Sequence, residues 1–107
     1  MMREVNEKDW KLFRKKIGIW QENYMQKLNN QYIELLQSDH LASENFWELE
    51  KRISKDKRSV GVVVDMRRSK MKENIFTLIR DQAITFEDLD GFTEDLKSEI
   101  QYMVEYW

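Results

Sequence analysis

Cysteine and proline are absent from the 107 residues, glycine occurs three times and histidine once. Without cysteine, a disulfide framework and a thiolate zinc site are excluded. Without proline, and with so little glycine, few positions are marked as turn or linker. No apolar run approaches the roughly 18 residues that a membrane span requires. The longest is Val60-Gly61-Val62-Val63-Val64. A secretory signal needs a basic start and then an apolar stretch, whereas Met1-Met2-Arg3-Glu4-Val5-Asn6-Glu7 leads into further charge. These absences predict a soluble, cytoplasmic protein without membrane association.

What is present points to helices. The chain is 36% charged and 41% hydrophobic, with a net charge of only −2. Four Trp, four Tyr and five Phe supply large side chains for a core, since each buries about 150–250 Å². Disordered chains have few aromatics and a high net charge. One domain over residues 1–107 is therefore expected.

Caps and apolar spacing divide the chain. Asn6 reads as an N-cap with Glu7 and Asp9 in the first turn. Trp10, Phe13 and Ile17 follow at helical spacing, and Gly18 offers a stop. The stripe nevertheless continues in phase through Trp20, Tyr24, Leu28, Tyr32 and Leu35, so one long helix bent at Gly18 and two separate helices both fit. Met25, Ile33 and Leu36 add a second stripe. This width predicts a central helix packed on more than one side.

Ser43 reads as the next cap, followed by Phe46, Leu49 and Ile53 as an inward stripe and Glu48/Arg52 as an i,i+4 pair. Val60–Val64 is β-branched, but no second strand candidate exists to pair with it. Two helical turns over about 59–67 are the favoured reading, and a strand would need another subunit. Ser69 is expected to cap a helix through about Asp81, with Met71, Ile75, Leu78 and Ile79 inward. Thr85-Phe86-Glu87-Asp88 has capping-box form and opens a short helix closed by Gly91. Thr93 caps the last helix, with Leu96, Ile100, Met103, Val104 and Trp107 as its stripe. The expectation is an all-α compact bundle of five to seven short and medium helices, without a sheet.

Four segments carry a family resemblance: Asp9-Trp10-Lys11-Leu12-Phe13, Trp20-Gln21-Glu22-Asn23-Tyr24-Met25, Phe46-Trp47-Glu48-Leu49-Glu50 and Ile84-Thr85-Phe86-Glu87-Asp88-Leu89. In these the chain resembles a family of small, uncharacterised bacterial helical proteins. The resemblance implies an α-helical fold and no established activity. Similar sequences sometimes carry a multidrug-transporter label, which a chain lacking any spanning segment does not support.

Chemical motifs are scarce. His40 has only Ser38 and Asp39 beside it, and adjacent residues do not converge on a substrate as a nucleophilic triad does. Asp88-Leu89-Asp90-Gly91 suggests a calcium loop, but with Gly91 at position six, Phe86 and Lys97 occupy positions one and twelve, where carboxylates are needed. Glu94, Asp95 and Glu99 share one helix, unlike carboxylates that flank a sugar from opposite sides of a cleft. No phosphate-cradling glycine loop, nucleophile elbow or zincin motif occurs. The sequence therefore predicts no enzyme, catalytic residue, metal, cofactor or small-molecule substrate.

Charge is unevenly spread. Residues 51–72 hold Lys51, Arg52, Lys55, Lys57, Arg58, Arg67, Arg68, Lys70 and Lys72 against two acids, a balance of +7. Residues 73–107 balance at −7. A basic segment can bind phosphates. The final helix, with Glu94, Asp95, Glu99 and Glu105 against Lys97, would be repelled from a major groove. The basic stretch could equally lie against an acidic surface from 73–107. Tyr102, Tyr106 and Trp107 at the chain end suit a subunit interface. The functional expectation is a protein–protein interaction module, self-associating as a homodimer. A nucleic-acid-associated regulator using 51–72 is the second reading.

Overall fold

The structure, a computed structural model, describes residues 5–107; the start of the chain read above for a signal lies mostly outside them. Asn6 caps the first helix, α1 (Glu7–Leu36), its Oδ1 accepting from the backbone N–H of Lys8 at 2.8 Å and of Asp9 at 3.3 Å. The helix passes through Gly18 without a break. Of the two readings of this region, the single helix is the one observed. An unbroken apolar phase outweighs the ~1 kcal/mol that an interior glycine costs. At 1.5 Å per residue, its 30 residues span about 45 Å. They run along most of the molecule's 52 Å long axis.

The second helix, α2 (Ala42–Asp56), returns antiparallel to α1 after a short loop. Its N-cap is Leu41, without a side-chain cap bond, and Ser43 lies inside the first turn. The loop supplies its own tie, because Ser38 Oγ donates to Asn45 Oδ1 at 3.1 Å and lies 3.0 Å from His40 Nδ1.

Val60–Val64 forms neither helix nor strand, contrary to expectation. It is a turn folded against α1. The Val62 and Val63 N–H groups bond to Ser59 O, and Gln21 Nε2 donates to Val60 O at 3.0 Å. These bonds satisfy backbone groups that a lone strand would leave unpaired. Gly61 is required there, since a Cβ would lie 2.3 Å from Tyr24 Cδ2.

A 3₁₀ turn, Arg68–Lys70, leads into α3 (Met71–Arg80), so Ser69 belongs to a turn and is not a cap. Gln82, at φ 62°, turns the chain out of α3. The predicted capping box at Thr85 is present, with Thr85 N–H donating to Asp88 Oδ2 at 2.7 Å. It opens only a 3₁₀ turn, Phe86–Leu89, and Gly91 follows at φ 93°. Thr93 caps α4 (Glu94–Tyr106), accepting from Leu96 N–H at 3.3 Å.

The all-helical class holds, with no strand among the described residues. There are four α-helices where five to seven were expected. Gly18 separates nothing, Val60–Val64 is a turn, and the Thr85 segment is too short for an α-helix.

The main core joins the first half of α1 (Trp10, Phe13, Ile17, Trp20) to α3 (Met71, Ile75, Phe76, Leu78) and α4 (Leu96, Ile100, Met103). Leu89 and Phe92 close it from below. Buried Asp9 fastens this head. It accepts from Thr93 N–H at 2.8 Å and Thr93 Oγ1 at 2.6 Å, tying the start of α1 to the start of α4. No residue of α2 joins this core. The second half of α1 and α2 form a two-helix arm reaching beyond the head.

Candidate interaction surface

The arm's contact line is narrow. Leu28 is buried, Tyr32 and Leu35 are half-buried, and α2 answers with buried Asn45 and half-buried Leu49 and Asp56. Tyr32 donates to Asp56 Oδ2 at 2.5 Å across this line. Burial, then that hydrogen bond, push the Tyr32 phenol up to about 12 from its usual 10.

Side chains flanking the line are sorted by polarity. At about 100° per residue, Met25, Asn29, Ile33 and Leu36 fall within roughly 80° of one side of α1. Ala42, Phe46, Leu49 and Ile53 fall within about 60° of one side of α2. Both arcs are rotated in the same sense from the contact line. In antiparallel helices that places them on one face of the arm. The opposite flank carries Gln31, Glu34, Glu44, Glu48, Arg52 and Lys55. It is also the flank that meets the head, where Lys27 Nζ reaches Gln82 O at 3.4 Å.

The apolar face is open. Ile33 is 51% exposed, Leu36 52%, Phe46 62% and Ile53 43%. Trp47 leans edge-on against Phe46 at 5.0 Å between ring centres and carries the patch around α2. Leu41 extends it at the tip. With Trp47 and Leu41, the face presents roughly 500–700 Å² of apolar surface, taking about 150–200 Å² for a fully exposed large side chain. The largest patch on a typical monomer is about 300–600 Å² and often functional. Phe46 and Ile53 of the expected inward stripe of α2, and Ile33 and Leu36 of the second stripe of α1, thus point outward, while Leu49 and Met25 are half-buried; among the described residues the arm's extensive helix packing is that of α1 with α2.

The basic segment is dispersed. Lys51, Arg52, Lys55, Lys57 and Arg58 lie on the second half of α2 and just past it. Arg67, Arg68, Lys70 and Lys72 lie on the head. Five of the nine are in ion pairs: Arg52 with Glu48, Arg67 with Asp65, Arg68 with Glu7, Lys70 with Glu73, and Lys72 with Glu99 at 2.7 Å. Only the last two pairs use acids from 73–107. Lys72, expected on the surface, is buried at 5% exposure. Its ammonium is drawn in by Glu99, while Arg68 also lies over the Trp10 ring at 5.7 Å. Among the described residues, Lys51, Lys55, Lys57 and Arg58 have no ion-pair partner.

The C-terminal aromatics divide. Trp107 packs edge-on against Phe76 at 5.8 Å, and Tyr102 and Tyr106 contact each other at 4.8 Å. All three stay largely exposed, Tyr102 and Tyr106 on α4 and Trp107 as its C-cap. A basic groove not anticipated from sequence lies along the start of α1, where Lys8, Lys11, Arg14 and Lys15 surround Leu12 beside Gly91. Its signal was the recurrence of basic residues at three- and four-residue spacing from Lys8. Among the described residues no three acidic or imidazole side chains converge as metal ligands, and no helix is long and apolar enough to cross a membrane. No family model, curated protein or solved structure matches this chain.

Proposed function

We propose that the chain is a non-enzymatic protein–protein interaction module and that its α1–α2 arm is the docking element. The observation that carries this reading is the polarity sorting of the arm. One face holds Ile33, Leu36, Phe46 and Ile53 in the open, and the other is charged. An amphipathic helix buries its apolar side against something, and among the described residues that side stays largely open. Interface centres are rich in aromatics and poor in charge, as Phe46 and Trp47 are here. The proposed setting is the cytoplasm.

The test is affinity purification of the tagged chain from its native cell, beside a Phe46→Glu, Ile53→Glu variant. Both side chains are substantially exposed, so the head should keep its helical circular dichroism. A protein retained by the wild type and lost by the variant supports the proposal. Identical sets of retained proteins would refute it.

A second reading has its own support. Lys51, Lys55, Lys57 and Arg58, clustered without acidic partners, form a basic end on α2 that suits an anionic partner such as a nucleic acid. Fluorescence anisotropy with labelled DNA and RNA at two salt concentrations tests it. Binding that weakens with salt and is lost on reversing these four charges supports this reading, and no binding at low salt removes it.

A further inference from the structure

We infer that the partner of the arm is an acidic, amphipathic helical segment laid along α1, its apolar part on the arm and its acidic part on the basic face of the head. The inference rests on the arm being the docking element and names the chemistry of what docks. The first observation is helical phase. Lys11 and Lys15 precede Asn29 and Ile33 by 18 residues, which is five full turns of an unbroken helix. The basic face of the head and the apolar face of the arm therefore stand on one side of α1, about 27 Å apart at 1.5 Å per residue. From Lys8 to Leu36 the exposed positions on this side recur every three or four residues, through Ile19, Glu22 and Gln26. A stripe of that spacing is the seam that a second helix follows.

The second observation is unopposed charge. Lys8, Lys11, Arg14 and Lys15 are exposed, no acid lines the groove they surround, and none of the four is in an ion pair among the described residues. The acids of that stretch are committed elsewhere, Asp9 buried against Thr93 and Glu7 paired with Arg68. Farther along the stripe Glu22 is the one exposed acid. In a chain of net charge −2, positive potential is thus concentrated on the side of α1 that also carries the apolar face, and this steers an acidic partner into register. Aliphatic Ile33, Leu36 and Ile53 give a nucleic acid no ring to stack on. A helix lying on a membrane carries its apolar and basic residues on opposite faces. Here they succeed each other lengthwise along one side, which fits a partner helix that changes from apolar to acidic along its own length.

Fluorescence anisotropy of the full chain with a labelled synthetic peptide tests the partner's chemistry. The peptide carries Leu at helical spacing in one half and Glu in the other, and a control peptide replaces Glu by Lys. The Glu peptide should bind the wild type, and more weakly as salt rises. Lys8→Glu, Lys11→Glu and Lys15→Glu together should weaken it about tenfold or more at low salt. The Lys peptide should bind this triple variant and not the wild type. All three side chains are exposed, so helical circular dichroism should not change. Phe46→Glu, Ile53→Glu should weaken the Glu peptide as well. Equal binding of the Glu peptide to the wild type and the triple variant, or no binding at low salt, overturns the acidic partner. So does tighter binding of labelled RNA, or of vesicles of phosphatidylserine and phosphatidylcholine, that is lost in the same variant. Those results leave the docking-element reading to the purification test. If the triple variant is weakened while Phe46→Glu, Ile53→Glu binds the Glu peptide as the wild type does, the docking-element reading fails, and this inference with it.

Discussion

The same substitution at two glycines should change stability in opposite directions. Gly18 lies mid-helix, and a Cβ added there meets nothing within 4 Å. Gly18→Ala should therefore gain the helix-propensity difference, about 0.5–1 kcal/mol. At roughly 4–8 °C per kcal/mol for a domain near this size, the melting temperature should rise by about 2–8 °C. Gly61 is buried in the turn that seats the end of the arm on α1. Its added Cβ would meet Tyr24 Cδ2 at 2.3 Å and Cε2 and Cγ at 2.8 Å. The ring must move, and overpacking of this kind costs about 1–3 kcal/mol. Gly61→Ala should therefore lower the melting temperature by roughly 5–20 °C. A double-mutant cycle isolates the cause. In a Tyr24→Ala background the clash is gone, so Gly61→Ala should cost little, and the coupling should match most of the single-mutant loss. Differential scanning calorimetry on the four proteins of the cycle and on Gly18→Ala is sufficient. Equal losses in both backgrounds would refute the packing of this turn against Tyr24, and destabilisation by Gly18→Ala would refute the uninterrupted helix.

Two further substitutions probe the ties of head and arm. Asp9→Ala leaves the Thr93 N–H and hydroxyl without their acceptor, so urea unfolding should show a loss of about 2–3 kcal/mol; an unchanged midpoint would exclude this link between α1 and α4. Tyr32 has a folded-state pKa of about 12 against 10 for the free side chain. The folded state thus holds the phenol proton more tightly, and the resulting stability is complete below pH 10 and disappears as pH rises toward 12. The advantage of wild type over Tyr32→Phe in denaturant melts should accordingly be present at pH 9 and fade by about pH 12; a constant difference would refute the Tyr32–Asp56 bond.

Local signals in the sequence fared better than tertiary ones. Asn6, Thr85 and Thr93 were readable as caps because each short side chain bonds to a backbone N–H two or three residues away. The head core was readable for a similar reason, since Trp10, Phe13, Ile75, Leu78, Leu96 and Ile100 repeat at helical spacing and are all buried. Spacing does not say how many neighbours a helix has. Phe46 and Ile53 repeat as regularly as Ile75 and Leu78, yet they face outward because, among the described residues, α1 is the one element α2 packs against extensively. Ser43 is not the cap, because α2 already opens at Leu41, whose carbonyl accepts from Asn45 N–H at 3.1 Å. The fate of Val60–Val64 depended on Tyr24 and Gln21, some forty residues away, which no local pattern encodes. The basic segment read as one patch, but five of its members are in ion pairs and Lys72 is interior.

The arm is expected to meet the partner, and Trp47 reports on this directly. It lies beside Phe46 on the arm, while Trp10 and Trp20 are buried in the head and Trp107 ends α4. Labelled with fluorotryptophan, the chain should give four fluorine resonances, assigned by replacing each Trp with Phe. As a protein retained by the wild type and lost by Phe46→Glu, Ile53→Glu is titrated in, the Trp47 resonance should shift and lose its solvent-isotope sensitivity, while those of Trp10 and Trp20 stay fixed. A Trp47 resonance that remains solvent-exposed throughout, while Trp107 shifts instead, would contradict the arm as the interface.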